Sequence, residues 1–182
     1  MPNHDLIAVW EEHLRSEFVA HDADAAMDTM VPDACVNHVP TMTGGVGHDE
    51  VKRFYKYHFV NAHPPDIEII PVSRTVGTDS IVDEMIVKFT HTCVIDHLLP
   101  GIPPTGRSVE IPVVGVVQFR DGKLASEHIY WDQASVLVQI GKLDPAGLPI
   151  AGVEIARKVL DKTLPSNRLM AREWQSSEGK PI

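Results

Sequence analysis

Glu127, His128, Tyr130, Trp131 and Asp132 make the densest run of chemically useful side chains in this 182-residue chain. The run begins just after an Asp121–Gly122 turn and ends at a stretch, Ala134 to Gly141, that reads as a short helix. A carboxyl at the mouth of an apolar pocket is poorly solvated, so its pKa rises toward the range useful for moving protons. Asp132 is one candidate for that work. It also directly precedes a helix that closes on glycine, which makes it a natural N-cap, and a cap would lower its pKa instead. His38 is a second candidate, because an imidazole titrates near neutrality. Its other reading is a buried histidine bonded to a carbonyl of the 40–47 loop.

Neighbouring strand residues face opposite ways, so only one of Glu127 and His128 can line a cavity. Glu127 shares its face with Ile129 and Trp131, and His128 with Tyr130. An inward Glu127 needs a partner, and His91 or His38 could supply it. The alternative is an exposed edge pair without consequence. Trp131, Tyr55, Phe89 and Trp10 would suit a flat or cyclic apolar ligand, although core packing accounts for Trp10 and Phe89 more simply. His91, Cys93 and His97 share one stretch but lack HExxH or CxxC spacing, so no metal site is expected. No G-x-S-x-G occurs, which argues against a serine nucleophile.

The elements that would position these groups follow from periodicity. Asp5 can cap a first helix whose apolar stripe is Leu6, Trp10, Leu14 and Phe18. Asp22 can cap a second, ended by Pro32. Cys35 to Val39 reads as a short strand and Pro40 to Gly47 as a loop. A third helix carries Val51, Phe54, Tyr55 and His58 on one side and stops at His63-Pro64-Pro65. Strands are expected over 67–72, 80–96, 107–119 and 123–131, with a rigid Pro/Gly turn at 99–106. Helices grouped before antiparallel strands imply an α+β layer. Residues 1–143 read as one domain. Residues 144–182 read as a C-terminal extension, a helix at 153–160 followed by an arm or a disordered tail.

Composition narrows the function classes. A formal net charge of −9 argues against nucleic acid. No apolar run reaches the length of a membrane span, and the N-terminus lacks the pattern of a secretory signal. Two cysteines with no metal-like pairing suit a reducing compartment, so the cytoplasm is expected.

Three stretches together resemble a known family. They are Pro103-Pro104-Thr105-Gly106-Arg107 before a strand, the hairpin Phe119 to Leu124, and Glu127 to Asp132 followed by Gln139-Ile140-Gly141. In order and spacing, residues 5–143 are similar to the nuclear transport factor 2-like superfamily, and within it to the SnoaL-like polyketide (ester) cyclases. The resemblance implies a cone-shaped barrel, three N-terminal helices packed on a curved, mainly antiparallel sheet, and a buried pocket. It also implies a dimer through the sheet, no cofactor, and one acid/base residue, which falls here on Asp132. Ketosteroid isomerase, a cousin, places its base where His38 stands. Its aromatic pair is similar to Phe54-Tyr55 and its pocket tryptophan to Trp131. Its two oxyanion-hole groups are replaced by Leu14 and Gly115.

The expected function is a cofactor-independent cyclase or isomerase that moves protons on a small apolar carbonyl compound. Asp132, His38 and Glu127 would be catalytic. Trp131, Tyr55, His91, His128 and Phe89 would bind substrate. The alternative is a non-catalytic small-molecule-binding module of the same fold. A homodimer is expected, since one set of helices cannot cover a sheet that is apolar on both faces.

Overall fold

The computed structural model describes residues 5–181. The first four residues of the N-terminus, read above as lacking a secretory signal, lie outside that range. Helix α1 (Leu6–Arg15) is capped by Asp5, whose carboxylate accepts from the Ala8 amide at 3.1 Å. It does not stop at Arg15. It widens into a π turn, Ser16–Ala20, and ends on His21 in the left-handed conformation. Asp22 caps α2 (Ala23–Asp28) by accepting from the amides of Asp24 and Ala25. Strand β1 (Met30–His38) follows at once and contains Pro32. The β1 ladder slips between Met30 and Cys35, around a residue with no N–H to donate.

Strand β2 (Thr43–Val46) forms inside the segment expected to be a loop and pairs antiparallel with β1. Its sequence, Thr-Gly-Gly-Val, carries no apolar alternation that could have revealed it. Gly44 is required here: a Cβ on it would sit 2.0 Å from the Val36 carbonyl oxygen. Helix α3 (His48–Phe54) also passes into a π turn, Tyr55–Phe59, closed by the Val60 amide on the Tyr55 carbonyl at 2.9 Å.

Strands β3 (Glu68–Val76), β4 (Ser80–Thr90), β5 (Ser108–Arg120) and β6 (Lys123–Trp131) complete a six-stranded sheet of order β2-β1-β6-β5-β4-β3. Every pairing is antiparallel except that of β1 with β6, the first and last strands in chain order, which lie side by side. Strand β4 ends at Thr90, earlier than the apolar pattern suggests. Val94 and Ile95 belong instead to a loop whose Ile95, Leu98 and Leu99 are buried. Three prolines downstream cannot donate to a ladder. The loop turns on itself through the Leu99 amide to the Ile95 carbonyl, and its apolar side chains close one end of the sheet's concave face.

The result is an α+β cone, with α1 to α3 against the curved sheet and α4 (Gln133–Gln139) across its end. Two apolar clusters fill it. One surrounds Trp10, Tyr55 and Phe59, and the other surrounds Phe89, Leu99 and Ile111. Beyond α4, helix α5 (Glu154–Leu160) packs on β5, with Ala156 buried and Arg157 paired to Glu110 at 2.9 Å. A short 3-10 turn, Arg168–Met170, leads into α6 (Ala171–Gln175), where Leu169 and Trp174 are exposed.

Candidate active site

Between the helices and the sheet lies a cavity of about 100 Å³, walled mainly by Trp10, Phe59, Phe89, Ile111, Ile129 and Trp131. An apolar cavity of about 150 Å³ accepts benzene, so this space suits no more than one small ring. Its lining is almost wholly apolar. The exceptions, Glu17, His38, Tyr55, His63, His97 and Glu127, therefore decide its chemistry.

Four of the buried polar side chains meet at one place. His13 and Glu17 come from α1 and its π turn, Tyr55 from the π turn of α3, and Glu127 from β6. The Tyr55 hydroxyl is 3.1 Å from Glu127 Oε2 and 3.1 Å from His13 Nε2. His13 Nε2 is also 3.1 Å from Glu17 Oε1 and 3.7 Å from Glu127 Oε2. On the far side of the ring, His13 Nδ1 is 2.7 Å from Thr29 Oγ1, and that hydroxyl donates to the Ala26 carbonyl at 2.7 Å.

The direction of each bond follows. Thr29 spends its proton on Ala26, so it accepts from His13 Nδ1–H. Tyr55 donates to Glu127, so its oxygen accepts from His13 Nε2–H. Both ring nitrogens carry protons, and His13 is an imidazolium. Burial opposes that charge most strongly. The charge of Glu17, aided by hydrogen bonding to Glu127 and Glu17, outweighs it and lifts the His13 pKa to about 10.

The same cation divides the two carboxyls. Burial raises Glu17, and the pull of His13 only partly offsets the effect, so Glu17 holds its proton more tightly than a free carboxyl. Burial works against the charge of Glu127 too. Hydrogen bonding to His13 and the charge of His13 prevail there, and Glu127 stays below the usual carboxylate range. Burial, then the charges of Glu127 and Glu17, keep the Tyr55 hydroxyl protonated.

Helix α1 is fixed by a separate clamp. Trp10 Nε1 donates to buried Asp83 on β4 at 2.7 Å, and Arg74 on β3 holds the same carboxylate through Nε at 2.6 Å and a second nitrogen at 2.8 Å. Arg74 also reaches Glu11 of α1 at 3.0 Å. The clamp sets the depth of His13 one helical turn further on.

The sequence-derived candidates fall into two groups. Glu127, Tyr55, His38, Phe89 and Trp131 line the cavity. Glu127 takes Tyr55 and His13 as partners, not His91. His38 is buried, with its ring 5.9 Å from Trp131 and 5.2 Å from His97. Its Nδ1 has no hydrogen-bond partner. Burial lowers its pKa to about 4, against the opposing effects of Glu127 and the Thr43 carbonyl.

Asp132, His91 and His128 stand outside the cavity wall. Asp132 is exposed and caps α4, accepting from the Ser135 amide at 3.1 Å. His91 is buried beneath the 91–106 loop with Nδ1 3.1 Å from Thr105 Oγ1. His128 is on the opposite face of β6 from Glu127.

Sequence patterning alone does not single out His13, Glu17 and Thr29. The signal available was a His-Glu pair four residues apart, directly beside the apolar stripe of α1. The same cluster answers the question of metals. One ligand atom from each of His13, Glu17 and Glu127 lies within 4.8 Å of the others, close enough to grip a small cation. Glu17 Oε1 in this cluster has no hydrogen-bond partner.

The SnoaL-like domain model matches residues 10–127. A SnoaL-like polyketide cyclase candidate from Jannaschia is 20% identical, covering 79% of this chain and 97% of its own, with a TM-score of 0.58. IdmH from Streptomyces antibioticus, named a candidate polyketide cyclase, is 22% identical over 76% of this chain and 99% of its own, with a TM-score of 0.57. SalBIII, an epoxide hydrolase/cyclase-like enzyme of pyran ring formation in the polyether salinomycin, is 18% identical over 72% and 93%, with a TM-score of 0.52. A comparison with curated protein sequences gives no match. The chain belongs to the SnoaL-like family, of the nuclear transport factor 2-like superfamily.

Proposed function

We propose that the protein is a cyclase- or isomerase-type enzyme acting by proton transfer on a small apolar carbonyl compound, polyketide-like or an ester or lactone. The observation that carries this reading is the Tyr55 hydroxyl bridging His13 and Glu127 at the wall of an apolar cavity. Glu127, the ionised carboxylate, takes a proton α to the carbonyl. Tyr55, with the imidazolium behind it, turns its hydroxyl from Glu127 to the carbonyl oxygen as negative charge develops there. Glu127 then gives the same proton back to the product. His38, neutral and with a free Nδ1, positions a polar group of the ligand. The groups named need no cofactor for such a step. The names of IdmH and the Jannaschia protein point to the same class of reaction.

The alternative is a non-catalytic binding module. The mutual satisfaction of His13, Tyr55 and Glu127 favours it, since a binding site has no need of an unpaired base. Hydrogen–deuterium exchange at the α-carbon of keto esters and lactones, followed by NMR, separates the two. Exchange that vanishes in Glu127→Gln supports the enzyme. Ligand binding with no exchange above solvent background would leave the binding module.

We also propose a homodimer through the convex face of the sheet, where Val82 and Tyr130 are exposed, and a cytoplasmic location. Among the described residues no helix is long and apolar enough to cross a membrane. Light scattering that gives a monomer at micromolar concentration would remove the dimer.

A further inference from the structure

The cavity holds about one small ring, and a second space adjoins it. A cleft of about 680 Å³ opens between α1 and the β3–β4 hairpin. The two spaces share four wall residues: Leu14 and Phe18 from α1 and its π turn, Ile69 from β3, and Met85 from β4. All four are half-buried, as side chains facing a dry space on one side and a wet one on the other must be. The backbone behind them is irregular on both sides. Phe18 lies in the π turn of α1, and the β3 register slips between Pro71 and Ser73. Widened turns and bulges of this kind re-aim side chains and recur beside functional sites. The opposite end of the cavity is shut by the 91–106 loop. Gln133 locks it, receiving Trp131 Nε1–H at 2.6 Å and donating to the Leu98 carbonyl at 2.9 Å.

We propose that the α1/β3–β4 cleft is the outer half of the ligand site and that Leu14, Phe18, Ile69 and Met85 are the passage between its halves. The ligand is then a two-part molecule. A compact apolar head of about one ring fills the inner cavity. The remainder, larger and more polar, lies in the cleft against Val19 and Val72, beside the Ser73–Glu84 hydrogen bond and Arg15, which is paired to Glu12. This inference takes the cavity as the ligand site but does not depend on the chemistry proposed for it.

Thiol labelling tests the passage without any assay of activity. In a Cys35→Ser, Cys93→Ser background, Met85→Cys and Leu98→Cys place single thiols at the passage and at the closed end. Methyl methanethiosulfonate is expected to label Met85→Cys at least tenfold faster than Leu98→Cys. Adding Ile69→Trp is expected to slow Met85→Cys labelling by a similar factor. The fluorophore 1-anilinonaphthalene-8-sulfonate, too large for the inner cavity alone, is expected to protect Met85→Cys. Faster labelling of Leu98→Cys would put the entrance at the loop and overturn the proposal. Labelling of Met85→Cys unaffected by both Ile69→Trp and the fluorophore would overturn it equally. Failure here together with Glu127-dependent proton exchange would spare the catalytic reading and remove only the two-part site.

Discussion

Thr29 fixes the charge of His13. Its hydroxyl gives its proton to Ala26 and is left as an acceptor 2.7 Å from His13 Nδ1. A ring that must donate on that side and also donate toward Tyr55 is a cation, although it is completely buried. Replacing Thr29 with valine removes the acceptor and keeps the shape. A hydrogen bond to a charged group is worth about 1.5–3 kcal/mol, so the His13 pKa should drop by about one to two units. Thr29→Ser should restore it. NMR titration of the His13 ring decides, and an unchanged pKa in Thr29→Val would refute Thr29 as the acceptor of the Nδ1 proton.

Glu127→Gln keeps the hydrogen bond from Tyr55 and removes the base. Loss of a positioned general base costs about 10²- to 10⁴-fold in rate. The deuterium-exchange rate should fall by that much, with little change in ligand affinity. Equal exchange in wild type and variant would transfer the role to another group.

Asp132→Ala should behave differently. It removes an N-cap from α4, which typically costs about 1 kcal/mol, and thermal denaturation should record that loss. Exchange activity should not change, because Asp132 is exposed and outside the cavity. A hundredfold loss of activity in a folded Asp132→Ala protein would return the catalytic role to the residue that the family resemblance selects.

The summed contribution of the buried histidines to stability should be greatest near pH 6.5, the ordinary histidine value. His38 and His63 have pKa values lowered by burial to about 4, and burial lowers His97 as well. Below pH 6.5 the unfolded chain binds protons that these buried rings refuse, so their contribution is lost as pH falls toward 4. His13 acts in reverse. Its contribution is complete below pH 6.5 and is lost as pH rises through about 10. Denaturant titrations across pH 4 to 10 should trace both limbs. His38→Phe should make the acidic limb shallower and leave the alkaline one.

The sequence carries the fold more openly than the site. The four-residue steps of Leu6, Trp10, Leu14 and Phe18, and the Asp121–Gly122 hairpin, are local patterns that report burial directly. Glu127 was legible because strand alternation put it on the Trp131 face. Its partners were not, since His13 and Tyr55 reach it from helices about 114 and 72 positions away in the chain, and no local rule encodes that meeting. The π turns were hidden for a related reason. They have no residue signature, yet they set the positions of Glu17 and Phe59. Asp132 reads identically as a cap and as an acid until the cavity shows where it points.

The parallel pairing of β1 with β6 has a kinetic consequence. Val36 lies beside Glu127 and His38 beside Ile129, so the seam that completes the cavity joins segments made early and late. Such long-range contacts slow folding, because chain entropy is lost before the contact forms. During synthesis the helices and β1 leave the ribosome well before their neighbour strand exists. Until β6 arrives, the apolar concave wall has no lid on that side and His13 has no Glu127. The full set of partners around His13 therefore assembles only once β6 has paired with β1, and the His13 NMR signal would report the closing of that seam.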